Sequence, residues 1–184
     1  MEKAQARCIA INDIRQKNLV ANAAIAILTR KSSSSNMLLP LQRQLNKDDA
    51  VIRSSAIKSI SEIGGSEAIA MIARHTNDNS PDVRIQACLA LGKMRAHTAK
   101  TQLYDTLEDP EPAVRCAAAK ALGIMGDKSG FTHVVSLIKK RGKYRFQALR
   151  ALNSITYRRY PINDFGVKSA ISWLKTVGNN YLRS

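Results

Sequence analysis

A sequence pattern that recurs every 31 residues constrains the fold of this chain more than any other feature. The segment PDVRIQACLALGKM starts at Pro81, and a similar segment, EPAVRCAAAKALGIMG, starts at Glu111. The matching positions are Arg84 and Arg115, Ala87 and Ala118, Leu91 and Leu122, and Gly92 and Gly123. The same spacing leads back to Arg53, Ala56 and Ile60, and a spacing of 30 leads forward to Arg145, Ala148 and Leu152. A fixed period longer than a single helix or strand indicates an array of structural repeats.

The residue spacing within each repeat is helical. From residue 83 to residue 94 the apolar side chains fall at the i, i+4, i+7, i+8 and i+11 positions of one helix face. The preceding turn, 79–82, supplies capping side chains and a proline suited to a first turn. A further apolar helix is expected before each of these helices, at 68–73, 103–107 and 134–138. Because neither helix can bury its face alone, stacked helix pairs should share one core.

The pattern D/E-x-x-V-R-x-x-A-x-x-A-L-G-x-M-G, read through residues 111–126, resembles the short HEAT-like repeats first described in phycobilin lyases. The resemblance covers about residues 37–157. It implies an all-α solenoid, a right-handed superhelix of antiparallel helix pairs whose second helices line the concave face. Such a motif indicates a fold and says little about function.

Three segments are expected along the chain. Residues 1–36 should form N-terminal helices, a degenerate capping repeat and a Ser-rich connector, and residues 37–156 four HEAT-like repeats. Residues 157–184 should form a C-terminal capping helix, in which Trp173 and Leu174 cover the last repeat.

Composition excludes some classes of protein. No apolar run approaches the roughly 20 residues of a membrane span. The polar N-terminal stretch does not indicate a signal peptide, and the cysteines Cys8, Cys88 and Cys116 form no CxxC pair. We expect buried, reduced thiols at Cys88 and Cys116 and a cytoplasmic protein.

The recurrent arginine, Arg53, Arg84 and Arg115, requires a physical reason, since a cation in the first turn of a helix opposes the helix dipole. We expect these side chains, called here the arginine row, to bind carboxylates or free carbonyls of adjacent repeats. The candidate acids are Asp49, Asp82 and Glu111. A row that binds a ligand is the alternative.

Charge is concentrated at one end of the chain. Residues 129–184 hold 11 basic residues and one acidic residue, within a net charge of +15. Basic clusters beside aromatic residues can hold phosphates and stack on bases, although an acidic protein could bind there, and a charge run can also serve solubility alone. The candidates for polyanion binding are Lys139, Lys140, Arg141, Lys143, Arg145, Arg158 and Arg159.

The outward positions of the second helices predict a mixed polar and apolar strip on the concave face. Such a strip suits a protein or peptide better than bare phosphate. Its predicted members are Lys58, Gln86, Leu89, Lys93, Lys120, Ile124, Gln147 and Arg150.

Sequence signs of chemistry are lacking. The residues His75, His97 and His133 have no metal-ligand spacing, and no nucleophile motif or phosphate-binding glycine loop is present. We therefore expect no catalytic residue, cofactor or metal. The sequence favours a non-enzymatic scaffold that binds a protein through the concave strip, with residues 129–184, called here the basic end, as a second contact. An acidic protein is one candidate for this partner. A nucleic-acid binder is the alternative, and a lyase-type enzyme subunit is a remote one.

Overall fold

The computed structural model describes residues 13, 15–17, 20, 38–140, 142–176 and 181. Within these residues the chain is helical and contains no strand. The all-α solenoid predicted from the repeat period is confirmed. The predicted N-terminal segment, 1–36, lies almost entirely outside the described residues, and the three segment boundaries stay predictions.

From residue 38 onward, short turns separate the helices. Their bounds are α1 Leu38–Leu45, α2 Ala50–Ile63, α3 Gly65–Arg74, α4 Pro81–Lys93, α5 Lys100–Thr106, α6 Pro112–Ile124, α7 Phe131–Lys139, α8 Arg145–Thr156 and α9 Asp164–Thr176. Short 3₁₀ segments, His75–Asn77 and His97–Ala99, follow α3 and precede α5. The even-numbered helices α2, α4, α6 and α8 pack on one another in a row, and each odd-numbered helix from α1 to α7 packs beside its partner.

The ends of α4 and α6 show how the repeat is encoded locally. The Ala96 amide donates to the Leu91 carbonyl, and the Asp127 amide makes the same bond to Leu122, each at a reach of five residues. This is the hydrogen bond of a Schellman motif, which requires a left-handed residue just before the donor. That place is taken by Arg95 (φ 49°) after α4 and by Gly126 (φ 81°) after α6.

Two glycines allow the even-numbered helices to approach closely. A methyl group built on Gly92 of α4 would lie 2.8 Å from the Ala121 Cα atom of α6. A methyl group on Gly123 of α6 would lie 2.8 Å from the Ile155 amide nitrogen of α8. Both neighbours are backbone atoms and cannot rotate away. The glycines that mark the repeat in sequence are therefore the points where successive units meet.

Helix α9 packs on α7 and α8 and covers the last repeat. Leu174 is buried there, and the Trp173 ring lies edge-on to Phe131 with 6.4 Å between centroids. Tyr181 packs on both rings and donates its hydroxyl to the Ile155 carbonyl at 2.8 Å. Aromatic contacts thus close an array whose interior is built from Ala, Leu, Ile and Val.

Adding a methyl group at Gly123 should destabilise the array, because α6 and α8 would have to separate. We expect Gly123→Ala to lower the free energy of unfolding by about 1–3 kcal/mol, the usual cost of overpacking. Gly142→Ala is the matched control, since nothing lies within 4 Å of its added methyl group. Urea denaturation followed by circular dichroism measures both variants. Equal stability of the two would show that the close approach does not constrain the packing.

Candidate functional site

The arginine row joins each unit to the next. The Arg53 side chain donates from Nε and Nη2 to the two carboxylate oxygens of Asp78, at 2.9 and 2.7 Å. Arg84 makes the same pair of bonds to Asp109, at 2.7 and 2.9 Å. In both cases the acceptor lies 25 residues later, in the turn that precedes the next even-numbered helix. A bidentate ion pair of this kind fixes the relative orientation of the two side chains as well as their distance. The pair therefore constrains how one unit stacks on the next.

Each of these arginines also closes its own turn. Nη1 of Arg53 donates to the Lys47 and Asp48 carbonyls, at 2.7 and 2.8 Å. Arg84 bonds the Asp78 and Asn79 carbonyls in the same way, at 2.8 and 3.3 Å. The cation in the first helical turn, which opposes the helix dipole, is thereby compensated by carbonyls of the turn and by a carboxylate of the next unit.

Asp78 and Asp109, called here the turn aspartates, are positioned by their own backbone. Asp78 accepts the Ser80 amide at 2.8 Å, and Asp109 accepts the Glu111 amide at 2.9 Å. Their side chains are only 9% and 8% exposed, and those of Arg53 and Arg84 are 13% exposed. Each carboxylate is therefore held both by its own turn and by the arginine of the preceding unit.

The acids expected from the sequence were wrong. Asp49 accepts the Val51 amide at the start of α2 and pairs with Arg15 at 2.7 Å. Asp82 is exposed in the first turn of α4, and Glu111 accepts the Tyr144 hydroxyl. Sequence proximity favoured these residues, but the arginines extend across the stack to the next turn. A second period in the sequence could have revealed the partners, since Asp78 and Asp109 also stand 31 residues apart.

Arg115 departs from the row. Its Nη1 donates to the Asp109 and Pro110 carbonyls, at 2.6 and 3.1 Å, as its siblings do. Within the part of the chain that the structure describes, however, Arg115 forms no ion pair, and the position 25 residues later is Lys140. Arg145 of α8 pairs with Asp164 at the start of α9, so the contact between units resumes there.

A groove across α4, α6 and α8 brings together four residues of the predicted concave strip. Leu89, Lys120, Gln147 and Arg150 line a cavity of about 230 Å³. The other lining residues are Ile85, Ala113, Cys116 and Ala117. The eight lining residues, called here the groove, thus combine an apolar floor with two cations and no acid.

The remaining strip residues lie outside this groove. Lys58 is exposed on α2, and Gln86 and Ile124 are half-buried. Lys93 pairs with Glu62 across α2 and α4. Leu89 and Ile124, expected to be exposed, are half-buried, because the close packing of the even-numbered helices covers part of each side chain.

The residues of the basic end have different surroundings. Lys139, Lys140, Lys143 and Arg159 are exposed. The Arg145 side chain is paired with Asp164, and the Arg158 guanidinium lies 4.6 Å from the centroid of the Trp173 ring. Arg141 lies outside the described residues. The Lys143 ammonium also lies 4.8 Å from the centroid of the Tyr144 ring, so three of the seven candidates have contacts within the described residues.

The thiols of Cys88 and Cys116 are protonated at neutral pH. Burial raises the pKa of Cys88 to about 12 and that of Cys116 to about 11, and only the thiolate is nucleophilic. Cys8 lies outside the described residues. Where side chains are described, no group of three or more His, Cys, Asp or Glu residues could hold a metal ion.

A carboxylate with a strongly shifted pKa lies in the turn between α6 and α7. Burial alone would raise the pKa of Asp127, but hydrogen bonds from Lys100, Ser129 and Tyr104 outweigh it and hold the pKa well below its usual value. The Lys100 and Tyr104 bonds are 2.8 and 2.7 Å long. Since Lys100 and Tyr104 belong to α5, this network joins two units, as the turn aspartates do.

Comparison with known families agrees with this geometry. The family model of HEAT repeats matches residues 70–153, the segment that holds α4 to α7, half of α3 and most of α8. Together with the helical stack, this match supports a HEAT-like repeat protein. No curated protein was found to match it. No helix among the described residues has the length and apolar character needed to cross a membrane.

Removing Arg84 should cost more stability than removing Arg115. Arg84→Ala leaves the buried Asp109 carboxylate without its cation, which we expect to lower the free energy of unfolding by about 3 kcal/mol. Arg115→Ala removes only bonds to two carbonyls and should cost about 1 kcal/mol. Urea denaturation measures both. The double variant Arg84→Ala/Asp109→Ala should recover part of the loss, and equal losses in the two single variants would contradict a stabilising ion pair.

The low pKa of Asp127 predicts that this carboxylate contributes to the loss of stability of the protein at acid pH. Because this pKa is lower in the folded than in the unfolded chain, the carboxylate stabilises the fold above the unfolded value of about 3.9. That contribution is lost as the pH falls further toward the folded pKa. Asp127→Asn should therefore show a lower melting temperature near pH 6 and a shallower decline below about pH 4. Asp105→Asn, at an exposed position on α5, is the control. If the melting temperature of Asp127→Asn falls below pH 4 as steeply as that of the wild type, the Asp127 carboxylate is not the group responsible.

Proposed function

We propose that this chain is a non-enzymatic HEAT-like adaptor that binds a protein partner in the groove and uses the exposed lysines of the basic end as a second contact. Repeats of this family generally mediate contacts between proteins, and the family is typically a scaffold rather than an enzyme. The groove carries the proposal, because its lining is a surface on which three successive units converge.

The chemistry of the groove favours an acidic segment with an apolar anchor. Ile85 and Leu89 offer half-buried apolar surface, and the volume of about 230 Å³ suits one or two side chains. Lys120 and Arg150 line the same cavity and no lining residue is acidic. Interfaces commonly place an apolar anchor in a pocket and surround it with polar and charged contacts. A partner with a Leu or Phe flanked by Asp or Glu would complement both features.

Nucleic acid is the second candidate, favoured by Lys139, Lys140, Lys143 and Arg159, which are exposed. Binding to phosphates releases condensed counterions, so affinity would fall steeply as salt rises. Binding in the groove would depend less on salt, because part of the affinity would come from burying an apolar side chain. Salt dependence therefore separates the two functions.

A charge placed in the groove should abolish partner binding. We expect Leu89→Asp to weaken binding by about 2 kcal/mol or more, since it places a carboxylate where the apolar anchor would sit. Leu39→Asp, at an exposed position on α1, makes the same change far from the groove along the chain and should bind normally. The measurement is affinity capture from nuclease-treated extract, followed by titration of the captured protein.

The two candidates give opposite results in this experiment. Capture that survives nuclease, is lost in Leu89→Asp and is kept in Leu39→Asp supports the adaptor. Capture that disappears on nuclease treatment, or that is unchanged in Leu89→Asp, contradicts it. Circular dichroism of each variant shows whether a loss reflects unfolding.

A further inference from the structure

The arginine row contains one guanidinium that lacks the carboxylate its siblings bind. The Nε and Nη2 atoms of Arg53 and Arg84 are taken by Asp78 and Asp109. The corresponding atoms of Arg115 have no bond to any described residue. Since the same period places Lys140 where an aspartate stands in the two preceding turns, the charge at this junction is inverted.

No acid of the C-terminal part of the chain replaces the missing carboxylate. The only acidic residue after position 128 is Asp164, which pairs with Arg145. Glu111, one helical turn before Arg115, accepts the hydroxyl of Tyr144 instead. That contact also places the turn before α8 against the start of α6, as the equivalent turns are placed in the earlier units.

The guanidinium is prepared for a ligand. Nη1 of Arg115 is fixed by the Asp109 and Pro110 carbonyls, at 2.6 and 3.1 Å, in the same way as Nη1 of Arg84. A side chain already held in its bound orientation loses little further freedom when a ligand arrives. Lys139, Lys140 and Lys143 lie in the segment before Tyr144, which contacts Glu111 at the start of α6, and all three are exposed. This side of the junction is therefore open to solvent and positively charged, although Lys143 also lies over the Tyr144 ring.

We infer that Arg115 and the turn lysines form a carboxylate-binding site, in which an Asp or Glu side chain of the partner occupies the place that the turn aspartates fill in the preceding units. The inference rests on the proposed function and gives the second contact a definite chemistry. A planar carboxylate is favoured because the two sibling arginines bind one with both Nε and Nη2, at 2.7–2.9 Å. The lysines add attraction without fixing geometry.

The first experiment needs no partner, because the missing carboxylate can be supplied by the chain itself. Lys140→Asp restores the 31-residue period, and Lys139→Asp restores the spacing of six residues between aspartate and arginine seen at Arg84 and Arg115. We expect at least one of them to raise the folding equilibrium constant about tenfold, the usual effect of a charge-assisted pair. The gain should vanish when Arg115→Ala is added.

Lys47→Asp is the matched control, since it makes the same charge change in the turn that already contains Asp49. It should give no such gain. If neither Lys139→Asp nor Lys140→Asp exceeds this control, or if the gain persists without Arg115, the site does not exist as proposed.

The second experiment tests binding in trans with a fluorescent hexaglutamate peptide at fixed ionic strength. We expect the wild type to bind it and the stabilised aspartate variant to bind about tenfold more weakly, because its own carboxylate fills the site. Arg115→Lys should weaken peptide binding similarly, since a lysine ammonium cannot bind a carboxylate in the bidentate way of a guanidinium. Lys47→Asp should bind as the wild type does.

Competitors identify the ligand. The assignment to carboxylate would be overturned if the binding of inorganic phosphate or of an oligothymidylate depends on Arg115 while the binding of the peptide does not. Peptide binding that is equal in all variants would also overturn it. Leu89→Asp leaves this site intact, so a failed groove experiment and a failed site are told apart by their separate variants.

Discussion

At two junctions an arginine of one unit binds the carboxylate of the next through both Nε and Nη2. This bidentate ion pair keeps the two units in register. Apolar contacts between alanine-rich helices stabilise the array but have little directionality of their own. The Arg53–Asp78 and Arg84–Asp109 pairs are directional and largely shielded from water, with 13% or less of each side chain exposed. Pairs of this kind contribute specificity of arrangement more than net stability, since desolvation offsets much of the attraction. The two pairs therefore favour one arrangement of the units that they join.

The same side chains make each unit depend on the following one. Arg84 closes the turn before α4 through Nη1 and binds the turn before α6 through Nε and Nη2. One residue thus couples the local conformation of a turn to the presence of the next unit, as expected for a linear array of nearest neighbours. At the end of the array the coupling changes character. The ring cluster of Phe131, Trp173 and Tyr181 replaces a further helix pair.

Much of the fold follows from the sequence, and the limits of prediction have a physical origin. The positions of the even-numbered helices follow from the repeat period and from prolines at the first helical position, such as Pro81 and Pro112. The close contact at Gly123 follows from the same period. The partners of the arginines do not, because a side chain in a solenoid can bind across units as readily as within its own turn. Asp82 was favoured by proximity, although Asp109, 25 residues after Arg84, is the acceptor. The groove was predicted in part, through Leu89 and Lys120, but the extent to which each neighbour covers it depends on packing distances that no sequence period supplies.

Burial of the two thiols also makes the array a reporter of its own opening. Cys88 lies on α4 and Cys116 on α6, so each belongs to a different unit. With pKa values of about 12 and 11 they are protonated while the helices are closed. A thiol reagent can modify Cys88 only after the helices separate, because the reactive form is the exposed thiolate. Cys116 lines the groove and can also be reached from there. The rate of labelling at Cys88 would therefore measure how often the interior of the solenoid opens to solvent.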